Sequence, residues 1–208
     1  MNIQRYPLGQ LQANCYLLIE GNHCIVLDPG DSADFISETI ARQNLVLDAI
    51  IATHGHFDHV MAVGELQALL GTQVPFYIHE KDLFLLERLR STAEHFLEHK
   101  PIVIEPKNIK KLEKGYPIDG WELNVIPTPG HTPGSCSLFF EKERALFTGD
   151  TLFKDGIGRY DFSYSNKELL KQSLEKLFSL EGVITVYPGH GEETFLNIEQ
   201  GRAMSNLV

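Results

Sequence analysis

The apolar residues of this chain fall into short strand-like runs alternating with helical stretches, and the plan occurs twice. Residues 2–8, Ala13–Glu20 and Cys24–Asp28 are compact apolar runs, the last two joined through Gly21-Asn22-His23. Runs of this length bounded by turn residues predict β-strands. Asp34–Gln43 has helical spacing, with Phe35, Ile36 and Ile40 on one face. Asp48–Thr53 predicts a buried strand, His59–Leu70 a packed helix, Val74–Ile78 another strand and Lys81–Glu98 a mainly helical stretch. The second half repeats the plan with strands at Trp121–Pro127, Cys136–Glu141 and Ala145–Thr148, a helix over Lys167–Ser179 and a strand at Val183–Tyr187. Two β-rich halves with helices that must cover a sheet predict a mixed α/β (α+β) fold, with two sheets packed face to face and helices outside. No linker separates the halves, so residues 1–208 are expected to form one domain.

Composition narrows the class. A chain of 208 residues, 43% hydrophobic and 22% charged, buries enough surface to fold without a disulfide or structural metal. Any metal is therefore expected to be catalytic. The net charge of −10, with no block of Lys and Arg, argues against nucleic acid as a partner. Cys15, Cys24 and Cys136 form no C-x-x-C pair and sit in apolar runs, where a free Cys behaves as a small hydrophobe. The amino-terminal residues lack an apolar signal core and no run reaches membrane-spanning length, so no membrane association and a cytoplasmic location are expected.

The chemistry lies in the histidines. His54, His56 and His59 cluster with Asp58 directly after a predicted strand, and imidazole and carboxylate together are metal ligands. Alternate residues His54 and His56 can face one way if the loop leaves the strand extended, while Asp58 and His59 turn toward a second position at the start of a helix. Asp58 alone could serve as a helix N-cap, but a cap does not account for three neighbouring histidines. His131 lies in the rigid turn Thr128-Pro129-Gly130-His131-Thr132-Pro133-Gly134, Asp150 ends Phe147-Thr148-Gly149-Asp150, and His190 follows Tyr187-Pro188-Gly189. Each is weak alone. Together, five His and two Asp suffice for two metals sharing one carboxylate.

The run His54-x-His56-x-Asp58-His59, with Gly130-His131-Thr132, Gly149-Asp150, Gly189-His190 and the early Asp28-Pro29-Gly30, resembles the metallo-β-lactamase superfamily. The resemblance spans essentially the whole chain and implies an αββα four-layer sandwich. It implies that His54, His56 and His131 bind one metal and Asp58, His59 and His190 the other, with Asp150 bridging and Asp28 orienting the ligands from behind. His54, His56 and Asp58 are the residues expected to carry catalysis. Within the superfamily, Asn14-Cys15-Tyr16, Gly130-His131-Thr132-Pro133-Gly134-Ser135 and Gly149-Asp150-Thr151-Leu152-Phe153 resemble the glyoxalase II branch, the hydroxyacylglutathione hydrolases. Gly156-x-Gly158-Arg159 resembles the segment that carries a basic residue for glutathione, which implies substrate binding by Arg159 with Tyr160 beside it. The residue two beyond the basic position, often Tyr in full-length glyoxalase II, is Asp161, and only eighteen residues follow His190, with Arg202 the sole basic one. The chain therefore resembles the short, single-domain glyoxalase II-like hydrolases.

The expected function is hydrolysis of a small-molecule thioester of the S-2-hydroxyacylglutathione type, by a hydroxide bridging two divalent metals whose charge lowers the pKa of bound water toward ~7. Zinc suits the ligands and the reaction, and iron or manganese fit the same set. The alternative is a persulfide dioxygenase, which shares the scaffold and a similar Gly-Arg-x-Asp segment but uses one iron on the residues matching His56, His131 and Asp150. A nuclease is disfavoured by the acidic charge and the lack of an inserted substrate domain. A monomer or homodimer is expected. His95-Phe96-Leu97-Glu98-His99 fits a reversed zincin pattern, yet its neighbours read as an exposed helix face. His23 and His79 read as surface residues.

Overall fold

The computed structural model describes residues 1–114 and 118–205, and the chain divides into two compact units. Met1–Ile78 with Leu83–Lys111 form the first, and His79–Asp82 with the described part of Leu112–Val208 form the second.

The first unit is a six-stranded sheet in the order β1-β2-β3-β4-β5-β6. Strands β1 (Asn2–Leu8), β2 (Ala13–Glu20) and β3 (His23–Leu27) run as an antiparallel meander. From β3 onward β4 (Val46–Ile51), β5 (Phe76–Ile78) and β6 (Ile109–Lys111) pair in parallel. Parallel neighbours need crossovers, and α1 (Ala33–Arg42), α2 (Phe57–Val60), α3 (Val63–Leu70), α4 (Leu83–Glu87) and α5 (Leu89–Leu97) lie in them. Alternate residues Cys15, Leu17 and Ile19 of β2 join Ile36 and Ile40 of α1 and Val63 and Leu66 of α3 in one core cluster. The period of two along the strand meets the helical period there.

In the second unit β7 (Asn124–Pro127), β8 (Cys136–Phe140), β9 (Ala145–Gly149), β12 (Thr185–Pro188) and β13 (Thr194–Phe195) form a five-stranded sheet in the order β13-β12-β9-β8-β7. The small hairpin β10 (Leu152–Phe153) and β11 (Gly156–Ile157) stands apart. Helix α6 (Lys167–Phe178) begins at Asn166, whose side chain accepts the Leu169 N–H at 3.0 Å, a cap worth about 1 kcal/mol. Its Leu170, Leu174 and Leu177 pack with Leu146 and Val186 of the sheet, and α7 (Leu196–Ser205) adds Leu196 and Ala203.

Parallel pairing sets where the functional residues emerge. In the first unit Leu27 pairs with Ile51, so Asp28 and the Thr53-His54 turn leave neighbouring carboxyl ends. In the second, Tyr187 pairs with Phe147 and Pro188 with Gly149, so Asp150 and His190 do the same. Crevices outside the carboxyl ends of parallel strands are where open α/β sheets bind ligands.

Several expected elements differ. The helix expected over His59–Leu70 starts at Phe57 and is broken into α2 and α3. At the break the Ala62 N–H donates to the Pro29 carbonyl at 3.1 Å, a tertiary bond in place of a helical one. The stretch Lys81–Glu98 is a 3₁₀ turn at Glu80–Asp82 followed by α4 and α5. The strand expected from Trp121 begins at Asn124, with Trp121 in an isolated bridge to Ile118. Strands β6, β10, β11 and β13 have two or three residues, too few to show an alternation. Cys15, Cys24 and Cys136 are free and buried. Burial, the largest cause, pushes the Cys24 and Cys136 thiols up to about 12 and raises the Cys15 thiol as well, so all three are neutral core residues. Among the described residues no helix is long and apolar enough to cross a membrane.

Candidate metal centre

The ligand candidates of the first unit, His54, His56, Asp58 and His59, are organised around one buried carboxylate. Asp28 accepts the Thr53 N–H at 2.7 Å through Oδ1, and the Thr53 hydroxyl at 2.7 Å through Oδ2. Its Oδ2 also lies 3.0 Å from His59 Nδ1. A carboxylate only accepts, so the His59 proton must sit on Nδ1, which leaves Nε2 with a lone pair able to bind a metal. The Thr53 hydroxyl has given its hydrogen to Asp28, so it can only accept from His54 Nδ1, 3.1 Å away. His54 is thereby fixed in the same tautomer, with Nε2 outward.

That Nε2 lies 3.1 Å from His56 Nδ1, so His54 and His56 converge as their alternation predicts. His56 is the N-cap residue of α2, with extended backbone, and Asp58 lies inside the first turn rather than capping it. There its Oδ2 comes within 3.8 Å of His59 Nε2. Four tetrahedral ligands at ~2.05 Å from an ion stand about 3.3 Å from each other, and these nitrogen and oxygen spacings bracket that value.

Local backbone explains the Asp28-Pro29-Gly30 motif. Asp28 adopts a left-handed φ of 52°, a conformation Asp tolerates better than most residues, and this turn aims the carboxylate back at Thr53. At Gly30 an added Cβ would lie 1.5 Å from the Asp58 carbonyl oxygen. Only glycine lets the loop pass against α2.

The second unit holds the other three ligand candidates, His131, Asp150 and His190. His131 Nδ1 lies 2.8 Å from the Arg159 carbonyl oxygen, an acceptor, so this imidazole also presents Nε2, 3.5 Å from Asp150 Oδ2. His190 Nε2 approaches the same Asp150 Oδ2 at 3.8 Å. One carboxylate oxygen thus lies within 4 Å of two imidazole nitrogens. The Gly189 N–H donates to the Gly149 carbonyl at 2.8 Å, tying the two turns together. Gly158 again marks a close approach: a Cβ there would lie 1.7 Å from the Asp150 carbonyl oxygen.

Arg159 is exposed, and its guanidinium holds Asp161 in a two-pronged pair, Nε and Nη2 each 2.9 Å from a carboxylate oxygen. That pair, above all the hydrogen bond from Arg159, lowers the Asp161 pKa. The guanidinium lies 4.6 Å over the Phe162 ring, which meets the His131 ring edge-on at 5.7 Å. Tyr160 has the Lys167 ammonium 5.6 Å over its ring. His95 and His99 are exposed, and His99 Nδ1 lies 2.9 Å from the Leu97 carbonyl oxygen. His23 is exposed and pairs with Asp48 at 2.8 Å. His79 is half-buried and accepts the Lys81 N–H at 3.2 Å, and burial lowers its pKa. The reading of the residues alone missed Thr53, although its place directly before His54 was a signal.

Comparison with known proteins gives consistent findings. The metallo-β-lactamase superfamily model matches residues 8–190, a span that contains all seven ligand candidates. The Bacillus subtilis protein named "Probable metallo-hydrolase YqgX" is 36% identical, over 96% of this chain and 95% of its own length. Hydroxyacylglutathione hydrolase GloC of Haemophilus influenzae is 33% identical over 96% and 95%. The crystal structure of TTHA1623 in a di-iron-bound form superposes with a TM-score of 0.86 at 34% identity, covering 96% of this chain and 98% of that one.

Because Asp28 fixes two imidazoles at once, Asp28→Ala is expected to weaken metal binding by ~10- to 100-fold, the usual cost of losing a residue that orients ligands. Chelator competition measures this, and undiminished affinity would contradict the assignment.

Proposed function

The chain belongs to the metallo-β-lactamase superfamily, and we propose that within it the chain is a two-metal hydrolase of thioesters of the S-2-hydroxyacylglutathione type. The observation that carries this reading is that His54, His59 and His131 are each held with Nε2 presented, and a carboxylate oxygen lies within 3.8 Å of that nitrogen in His59 and His131. A chain that kept the fold for another purpose would have no need of those restraints. The named activity of GloC supports the substrate class, and the di-iron form of TTHA1623 supports a pair of ions.

In this reading His54, His56 and His131 would hold one metal and Asp58, His59 and His190 the other, and Asp150 would serve both. When bound, the pair supplies Lewis-acid polarisation of the carbonyl and a water acidic enough to ionise near neutral pH. The remaining work falls to the chain. Asp28 and Thr53 hold the His54 and His59 tautomers. The Arg159 carbonyl holds that of His131. Arg159 and Tyr160 receive the acyl-thiol, and the planar guanidinium suits a carboxylate on it. Such a carboxylate must displace Asp161, which already occupies the fork. The pair is exposed, so exchange of one carboxylate for another costs little.

The test is a metal count on the purified protein, with thiol release from S-2-hydroxyacylglutathione assayed beside persulfide-dependent oxygen uptake. Two divalent metals per chain and thiol release are expected. His54→Ala or Asp58→Ala should lower kcat/KM on the order of 10³-fold with the fold intact, the scale of lost Lewis-acid assistance. One iron per chain with oxygen uptake and no thiol release would overturn the proposal in favour of a persulfide dioxygenase. In the same assay Asp161→Asn should lower KM a few-fold for thioesters that carry a carboxylate and leave kcat unchanged. An unchanged KM would remove Arg159 from the substrate site.

A further inference from the structure

Besides the seven ligand candidates, three carboxylates are buried among the described residues: Asp28, Glu199 and Asp82. Asp28 acts on His54 and His59 as derived above. Glu199 accepts from Thr194 and from the Asp155 N–H, within the framework of β13 and the β10–β11 hairpin. Asp82 is different, because its bonds end beside a ligand candidate.

Asp82 ends the 3₁₀ turn that follows β5 and is fully buried within the second unit. Its Oδ2 accepts the Thr132 hydroxyl at 2.6 Å and its Oδ1 accepts the Gly134 N–H at 2.6 Å. With the Thr132 hydrogen committed to Asp82, the Ser135 hydroxyl, 2.7 Å away, donates to Thr132 Oγ1, and its oxygen accepts the Thr132 N–H at 3.1 Å. A Cβ at Gly134 would lie 2.6 Å from Asp82 Oδ1, so the loop carries glycine where the carboxylate enters. Burying a charge is unfavourable unless donors surround it, and this loop supplies them.

The opposite flank of the loop is held by α6 and the segment before it. Ser173 donates to the Pro129 carbonyl at 2.7 Å, the Asn166 N–H to the Gly130 carbonyl at 2.8 Å, and Ser165 to the His131 carbonyl at 2.6 Å. Asp82 grips the other flank at Thr132 and Gly134. We infer that Asp82 is a positioning residue for the metal site that takes His131: through Thr132 it fixes the main chain from which that imidazole projects. Removing it frees one side of the turn while α6 still holds the other, and His131 Nε2 swings relative to Asp150 Oδ2. A shift on the ångström scale is enough to spoil a ligand set whose distances must hold within about ±0.2 Å. The inference rests on the two-metal reading above.

The test follows the two metals separately by chelator competition in wild type, Asp82→Ala, Thr132→Val, Thr132→Ser and the core variant Leu177→Ala. Asp82→Ala and Thr132→Val should each weaken one of the two metals by ~10- to 100-fold and leave the other unchanged. Thr132→Ser, which keeps the hydroxyl, should restore wild-type affinity. Leu177→Ala should lower the Tm without touching either affinity, which separates positioning from general destabilisation. If Asp82→Ala does not fold, Thr132→Val carries the test. Two metals bound as tightly in Thr132→Val as in wild type, or an equal loss in Leu177→Ala, would overturn the role of Asp82 and leave the two-metal reading standing. A wild-type chain that binds no metal would overturn both.

Discussion

The acceptor-only character of a buried carboxylate is the constraint on which the functional half of this molecule depends. Asp28 cannot donate, so Thr53 and His59 must turn hydrogens toward it. The consequence passes through the Thr53 hydroxyl to His54. One charge, placed by one left-handed residue at the end of β3, thus determines which nitrogen two histidines present. Metal ligation by imidazole requires that choice. The Arg159 carbonyl makes the same choice for His131.

That arrangement is available because of strand direction. Parallel pairing of β3 with β4 places Asp28 beside Thr53, and parallel pairing of β9 with β12 places Asp150 beside the Gly189-His190 turn. Antiparallel neighbours would have sent the paired turns to opposite ends of the sheet. Where main chains must pass closer than a side chain allows, glycine stands: Gly30 against Asp58 and Gly158 against Asp150. The glycines of the sequence motifs record backbone approach, and the histidines and aspartates beside them record chemistry.

This division explains what could be read beforehand. The seven ligand candidates were visible because their residue types and their places after apolar runs are local features, and Asp28 was visible through the resemblance of Asp28-Pro29-Gly30 to the family pattern. The long strands and helices were visible through their periods, and the mixed α/β class with them. The break between α2 and α3 was not, since it arises from the Ala62 N–H turning to Pro29, thirty-three residues earlier in the chain. Asp82 was hidden for the same reason: it lies near the start of the stretch Lys81–Glu98 that reads as mainly helical, and its partners Thr132 and Gly134 are some fifty residues away. The pairing of Arg159 with Asp161 lies only two residues apart, but nothing in a single sequence says whether neighbouring opposite charges face each other.

The account makes its central claim about nitrogen atoms, so the most direct measurement locates them around the ions. Crystals of the metal-loaded protein, with anomalous diffraction recorded at the metal edges, give the position of each ion and the atom that binds it. The account predicts two ions, bound through Nε2 of His54, His59, His131 and His190 and Nδ1 of His56, with Asp58 on one ion and Asp150 touching both. A single ion on His56, His131 and Asp150, or His54 and His59 ligating through Nδ1 with Asp28 turned away, would contradict it.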